Sequence, residues 1–131
     1  MIFIDANIFL AYDNINDVHH QRALKLWQKI EDGKYGEYFT SDYVLNEIIG
    51  VTLRKLGKER AVILGTHIFN SMLVLNIDDH ILRKSFRMFS QTELSLSLVD
   101  CTNLAVLDMV GAGMLATFDK EFEKTEVDVV S

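Results

Sequence analysis

Short apolar runs alternate with helical segments along the whole chain, and this alternation constrains the fold more than any other feature. Runs at 1–4, 38–40, 72–77, 96–99, 114–118 and 127–130 read as strands. Between them, apolar residues recur at helical spacing. Segment 18–30 carries Ala23, Leu24, Trp27 and Ile30, with Gly33 beyond it as a stop. A helix capped by Ser41 or Asp42 runs to about 56, and Gly57 ends it. Further helices are expected over 59–70, from a cap at Asp78 or Asp79 to 89, and over 101–110. Strands separated by helices imply parallel pairing, right-handed crossovers and an α/β domain. In such a sheet the ligand sits outside the carboxyl ends of the strands.

Length and composition agree with one domain over 1–131. Hydrophobic residues make up 49% and charged residues 24%, ordinary values for a globular fold. No apolar stretch approaches the roughly 20 residues that span a bilayer. With one cysteine, Cys101, no internal disulfide forms, and a reducing compartment, the cytoplasm, is the expectation. The formal charge of −6 looks unfavourable for a nucleic-acid binder. Setting aside four acids for a metal site leaves 15 acids against 13 Lys and Arg, so net charge decides nothing.

Three acids share one context. Asp5 follows MIFI, Asp100 follows LSLV and Asp119 follows LATF, each at the end of an expected parallel strand. Glu47 lies about one turn inside the helix after the short strand at Tyr38. Two unpaired like charges about 4 Å apart repel by roughly 4 kcal/mol at an effective dielectric near 20. Convergence of four would consume much of a small domain's ~5–15 kcal/mol stability unless some protonate or a cation joins them. Hard oxygen donors suit Mg²⁺ or Mn²⁺, and no His or Cys spacing argues for zinc. An aspartate after a strand is nonetheless more often a cap or turn former, and both Asp100 and Asp119 suit that role.

The motifs around these acids resemble the PIN-domain family, and within it the VapC-type toxin ribonucleases. IDANIFL resembles the family's first acidic motif, TSDYVLNEIIG the second, and LSLVDCTNLAVLDMVGAGMLATFDKEF the third and fourth. The stretches stand in the family's order, and the T-x-D-x-x-F ending is the most specific of them. The resemblance implies a PIN-like three-layer α/β/α fold with a central parallel sheet of about five short strands. It implies that Asp5, Glu47, Asp100 and Asp119 are catalytic metal ligands, with Asn7, Ser97 and Thr117 bracing them. It further implies one or two Mg²⁺ or Mn²⁺ ions, cleavage of RNA to 5′-phosphate and 3′-hydroxyl ends, a VapB-like antitoxin partner and a homodimer.

Arg54, Lys55, Arg83 and Lys120 are candidate RNA contacts, although a solvated helix face is the commoner explanation for such groups. The four histidines share no ligand spacing, and Tyr12, Trp27, Phe86 and Phe89 fit helix packing. Two other functions stand beside the nuclease. One is a PIN-fold module that binds RNA or protein without cutting. The other is a phosphatase for small phosphoesters, which the residue two after Asp5 disfavours, since Asn7 replaces the second Asp of a D-x-D pair.

Overall fold

The computed structural model describes residues 1–111 and 113–131. Five short parallel strands form one sheet in the order β3-β2-β1-β4-β5: β1 (Ile2–Ile4), β2 (Tyr38–Ser41), β3 (Leu73–Leu75), β4 (Met114–Ala116) and β5 (Asp128–Val130). Helices α1 (Ala6–Asp13), α2 (His20–Glu31), α3 (Asp42–Leu56), α4 (Lys58–Ser71), α5 (Asp79–Gln91) and α6 (Leu98–Val110) flank it in three layers. A 3₁₀ turn covers Lys120–Lys124.

The central strand explains its own sequence. A parallel strand covered on both faces must be apolar throughout, and Ile2, Phe3 and Ile4 are all completely buried. Phe3 meets Phe39 of β2 edge to face, with centroids 5.3 Å apart. From β1 the chain builds outward through β2 to β3, then returns to place β4 on the other side of β1. The order therefore reverses between β1 and β4, and a crevice opens there beyond the strand ends. Ile4 pairs with Ala116, so Asp5 and Thr117 come side by side as the next residues of their chains.

Caps fix where the helices leave this edge. Asp5 caps α1 through Ala6 N–H, Ser41 caps α3 through Val44 N–H, and Asp78 caps α5 through Ile81 N–H. Gly57 turns α3 into α4 with φ +89°, in the left-handed region that glycine adopts without strain.

Several expectations are corrected. Residues 96–99 form no strand: Leu96 is buried in a loop, and α6 already begins at Leu98. The pattern of 96–99 alternates like a strand, but Ser97 and Asp100 cap each other across the first turn of a helix, and that local bonding wins. Helix α1 carries no amphipathic stripe, because Ala6, Ile8, Phe9 and Ala11 are buried nearly all round it, and so it shows no 3.6-residue signal. On α2, Leu26 rather than Leu24 enters the core. Phe86 and Phe89 are 59% and 43% exposed, so neither belongs to the core. Among the described residues no helix is long and apolar enough to cross a membrane.

Candidate active site

Asp5 sits at the reversal point of the sheet and is only 5% exposed. Four donors hold its carboxylate. Oδ1 accepts from Ala6 N–H at 2.8 Å and from Asn103 Nδ2 at 3.2 Å. Oδ2 accepts from Thr117 Oγ1 at 2.7 Å and from Asn7 Nδ2 at 3.1 Å. Asn7 also donates to Thr117 Oγ1 and accepts from Phe118 N–H at 3.0 Å, which ties the end of β1 to the end of β4. The donors favour the ionised form, yet burial outweighs them and pushes the carboxyl up from 3.8 to about 6, with smaller upward pushes from Asp100 and Glu47.

The other three acids stand on separate elements, and two of them, Asp100 and Glu47, act on Asp5. Asp100 stands on the first turn of α6, where Oδ2 accepts from Ser97 N–H at 2.8 Å while Ser97 Oγ accepts from Asp100 N–H at 3.1 Å. Its carboxyl is raised by burial and by the charge of Asp119. Glu47 projects from the solvent side of α3, and its carboxyl end is raised by partial desolvation and then by Asp100. Asp119 caps the 3₁₀ turn, with Oδ1 accepting from Glu121 N–H at 2.9 Å. The acids therefore form one electrostatic group in which Asp100 acts on both Asp5 and Glu47. Among the described residues, however, no three His, Cys, Asp or Glu side chains gather closely enough to hold a metal ion as they stand.

The remaining candidates divide. Asn7 and Thr117 bind Asp5, and Ser97 binds Asp100. Lys55 faces a cleft that Asn7 also lines. Arg54 and Lys120 are exposed, Lys120 directly after Asp119. Arg83 is committed to Asp79 at 2.8 Å on α5, and that hydrogen bond and charge raise its pKa. Cys101 is buried, and burial, then Asp100, push its thiol up, which suits packing rather than nucleophilic attack.

Asn103 also binds Asp5 and was missed by the sequence reading. It lies one turn after Asp100 on the buried face of α6, among Ala105, Val106 and Leu107, and is completely buried. Its amide must point nitrogen-first at Asp5, because the opposite orientation would set two oxygens against each other. Its Oδ1 then finds no protein partner. A buried amide oxygen in that state costs about 1–3 kcal/mol, so the site keeps the residue for its donor. Only its being a polar residue one turn from Asp100 hinted at this role.

A buried carboxylate at a sheet reversal point, ringed by amide and hydroxyl donors, its pKa pushed upward by burial and by two further acids, defines a class: an α/β domain with an acidic carboxyl edge to its sheet. The model of the PIN domain family matches residues 2–128, and the chain belongs to that family. A VapC ribonuclease of Archaeoglobus fulgidus is 26% identical over 124 residues, covering 91% of this chain and 77% of that protein. The sarcin–ricin-loop-cleaving toxin VapC20 of Mycobacterium tuberculosis has a similar fold, with TM-score 0.85, 24% identity and coverage of 97% and 98% of the two chains. VapBC2 of Rickettsia felis, solved bound to a DNA fragment from its promoter, superposes with TM-score 0.70 at 16% identity over 99% and 98%.

Proposed function

We propose that this chain is a divalent-metal-dependent endoribonuclease and the toxin of a toxin–antitoxin pair, with Asp5, Glu47, Asp100 and Asp119 as its acidic centre. The observation that carries the reading is Asp5: a nearly buried carboxylate raised by burial and by two neighbouring acids, an arrangement that a dication would make favourable. The donors are all hard oxygens, which fits Mg²⁺ or Mn²⁺. Mg²⁺ commonly takes one or two carboxylates directly and keeps several waters, so a finished cage of three is not required of the protein. Bound there, the ion would polarise a phosphoryl oxygen and acidify a water.

The chain's own residues supply order. Thr117, Asn7, Asn103 and Ala6 hold both oxygens of Asp5 against rotation, and Ser97 holds Asp100. Asn103→Leu keeps the volume and removes the donor, so RNA cleavage is expected to fall about tenfold or more, as is common when a partner of a metal ligand is lost. Stability is expected to change little, because the lost bond to Asp5 and the relieved orphan oxygen oppose each other. Unchanged turnover in the folded variant would remove Asn103 from the site.

Relatives support the reading: one carries the name ribonuclease and another is described as cleaving an RNA loop. The solved VapBC2 complex of Rickettsia felis and a Klebsiella pneumoniae toxin–antitoxin complex with TM-score 0.67 support an antitoxin partner. The decisive experiment incubates the purified protein with total RNA in Mg²⁺ or Mn²⁺ and again in EDTA. New 5′-phosphate ends that vanish in EDTA are expected. A second reading, a PIN-fold module that binds without cutting, draws on the lack of any three closely gathered donors among the described residues. RNA binding with no new ends in either metal would establish that second function instead.

A further inference from the structure

Phe118 lies between Thr117, which holds Asp5, and Asp119, and its ring is packed by two residues from the start of α2. The imidazole of His19 stacks on it at 4.8 Å with 27° between planes. The guanidinium of Arg22 also lies over it, 4.8 Å from the ring centre, with Nη1 3.4 Å from His19 Nδ1. An arginine held flat on a ring loses less freedom on meeting a phosphate than one free in water. Among the described residues Arg22 pairs with no carboxylate, although the ring beneath it directly precedes Asp119.

A second observation meets the first at His19. A cleft of about 140 Å³ runs between the start of α2 and the end of α3, with His19 on one wall, Lys55 and Thr52 on the other, and Asn7 among its lining residues. Two acids also line it, and one of them is paired with a cation. Asp13 pairs with Arg60, and Asp17 accepts from the backbone N–H of His19. The charges left facing the cleft are those of Asp17 and Lys55, and Lys55 also pairs with no carboxylate among the described residues. Asn7, the residue that binds Asp5, lines the same passage.

We propose that Arg22 and Lys55 hold phosphates of single-stranded RNA on either side of this cleft, leading the strand past Asn7 to the acidic centre. The inference rests on the nuclease reading only for the class of ligand. In a chain of net charge −6, two unpaired cations beside the acids give a polyanion a path that the molecule as a whole would repel.

The test measures the affinity of a fluorescein-labelled 12-nucleotide RNA of mixed sequence, in EDTA and again in Ca²⁺, over a range of salt concentrations. Each phosphate contact contributes about 0.7 to the slope of log K against log salt for a single strand. Arg22→Gln is expected to weaken binding roughly fivefold at low salt and to lower the slope by about 0.7, and R22Q/K55Q by about 1.4. Lys34→Gln, in the loop before β2 at the opposite edge of the sheet, is the control and should leave the slope as it was. Wild-type affinity and slope in folded R22Q/K55Q, an equal effect of K34Q, or no RNA binding by the unaltered protein in either condition would each overturn the proposal. Cleavage is scored separately in Mg²⁺ and Mn²⁺. RNA that binds through Arg22 but is never cut removes the nuclease and keeps the passage. RNA that is cut equally well with neither contact does the reverse.

Discussion

Asp5→Asn should abolish RNA cleavage, lowering the rate by roughly 10³-fold or more, the scale on which loss of one member of a catalytic group is felt. The substitution keeps the size and shape of the side chain, and Asn is as acceptable as Asp at the start of a helix. The hydrogen bonds also adapt. If the new amide nitrogen occupies the Oδ1 position, Asn103 can turn over and accept from it through its oxygen, which leaves Ala6 N–H and the turned Asn103 Nδ2 without partners. Thr117 and Asn7 keep their acceptor. The variant should therefore fold, and circular dichroism with thermal melting checks that before activity is scored. Metal-dependent cleavage at the wild-type rate by the folded variant would remove Asp5 from the chemistry and with it the acidic centre.

The second large effect is on stability against pH. In the folded protein Asp5 titrates at about 6, against an ordinary value of 3.8, chiefly because burial disfavours its charge. The folded state thus holds this proton more tightly than the unfolded chain. The stabilisation is complete below about 4, is lost as pH rises through about 6, and stays lost above. A displacement of that size corresponds to roughly 3 kcal/mol. Glu47 and Asp100 are also raised and act in the same direction. Urea unfolding from pH 4 to 7.5 should show the wild type losing about 3 kcal/mol more than Asp5→Asn across the window. A divalent ion held as proposed would bind only the ionised centre, so Mn²⁺ or Mg²⁺ should restore the loss above pH 6. A wild type that tracks Asp5→Asn at every pH would mean the carboxyl is not held in a desolvating site.

These two effects come from one residue, and how far that residue could be read in advance differs by level. The buried run at Ile2–Ile4 and the Asp that ends it were evident from sequence, because a central parallel strand has no polar face and a carboxylate closing it stands out. Asp119 was expected to close a strand over 114–118, but β4 ends at Ala116 and Asp119 caps the 3₁₀ turn instead, the capping role its sequence also allowed. Asp100 was placed on the wrong element, since the apolar alternation of 96–99 imitates a strand, whereas Ser97 and Asp100 bonding across one turn make it a helix start. Helix α1 escaped notice because burial on nearly every side erases the polar stripe that marks most helices.

What the chain alone determined was local: which segments favour strand or helix, where helices are capped, and which acids follow apolar runs. These are short-range preferences set by backbone geometry and by the pattern of side-chain burial. What only the tertiary structure decided was company. Strand order placed β4 against β1, and that pairing set Thr117 beside Asp5 across 112 residues of chain and brought Asn103 to it across 98. Likewise, packing alone laid Arg22 and His19 on Phe118 and turned Lys55 toward Asn7. No periodicity encodes such meetings, because they depend on how separate elements dock once each has formed.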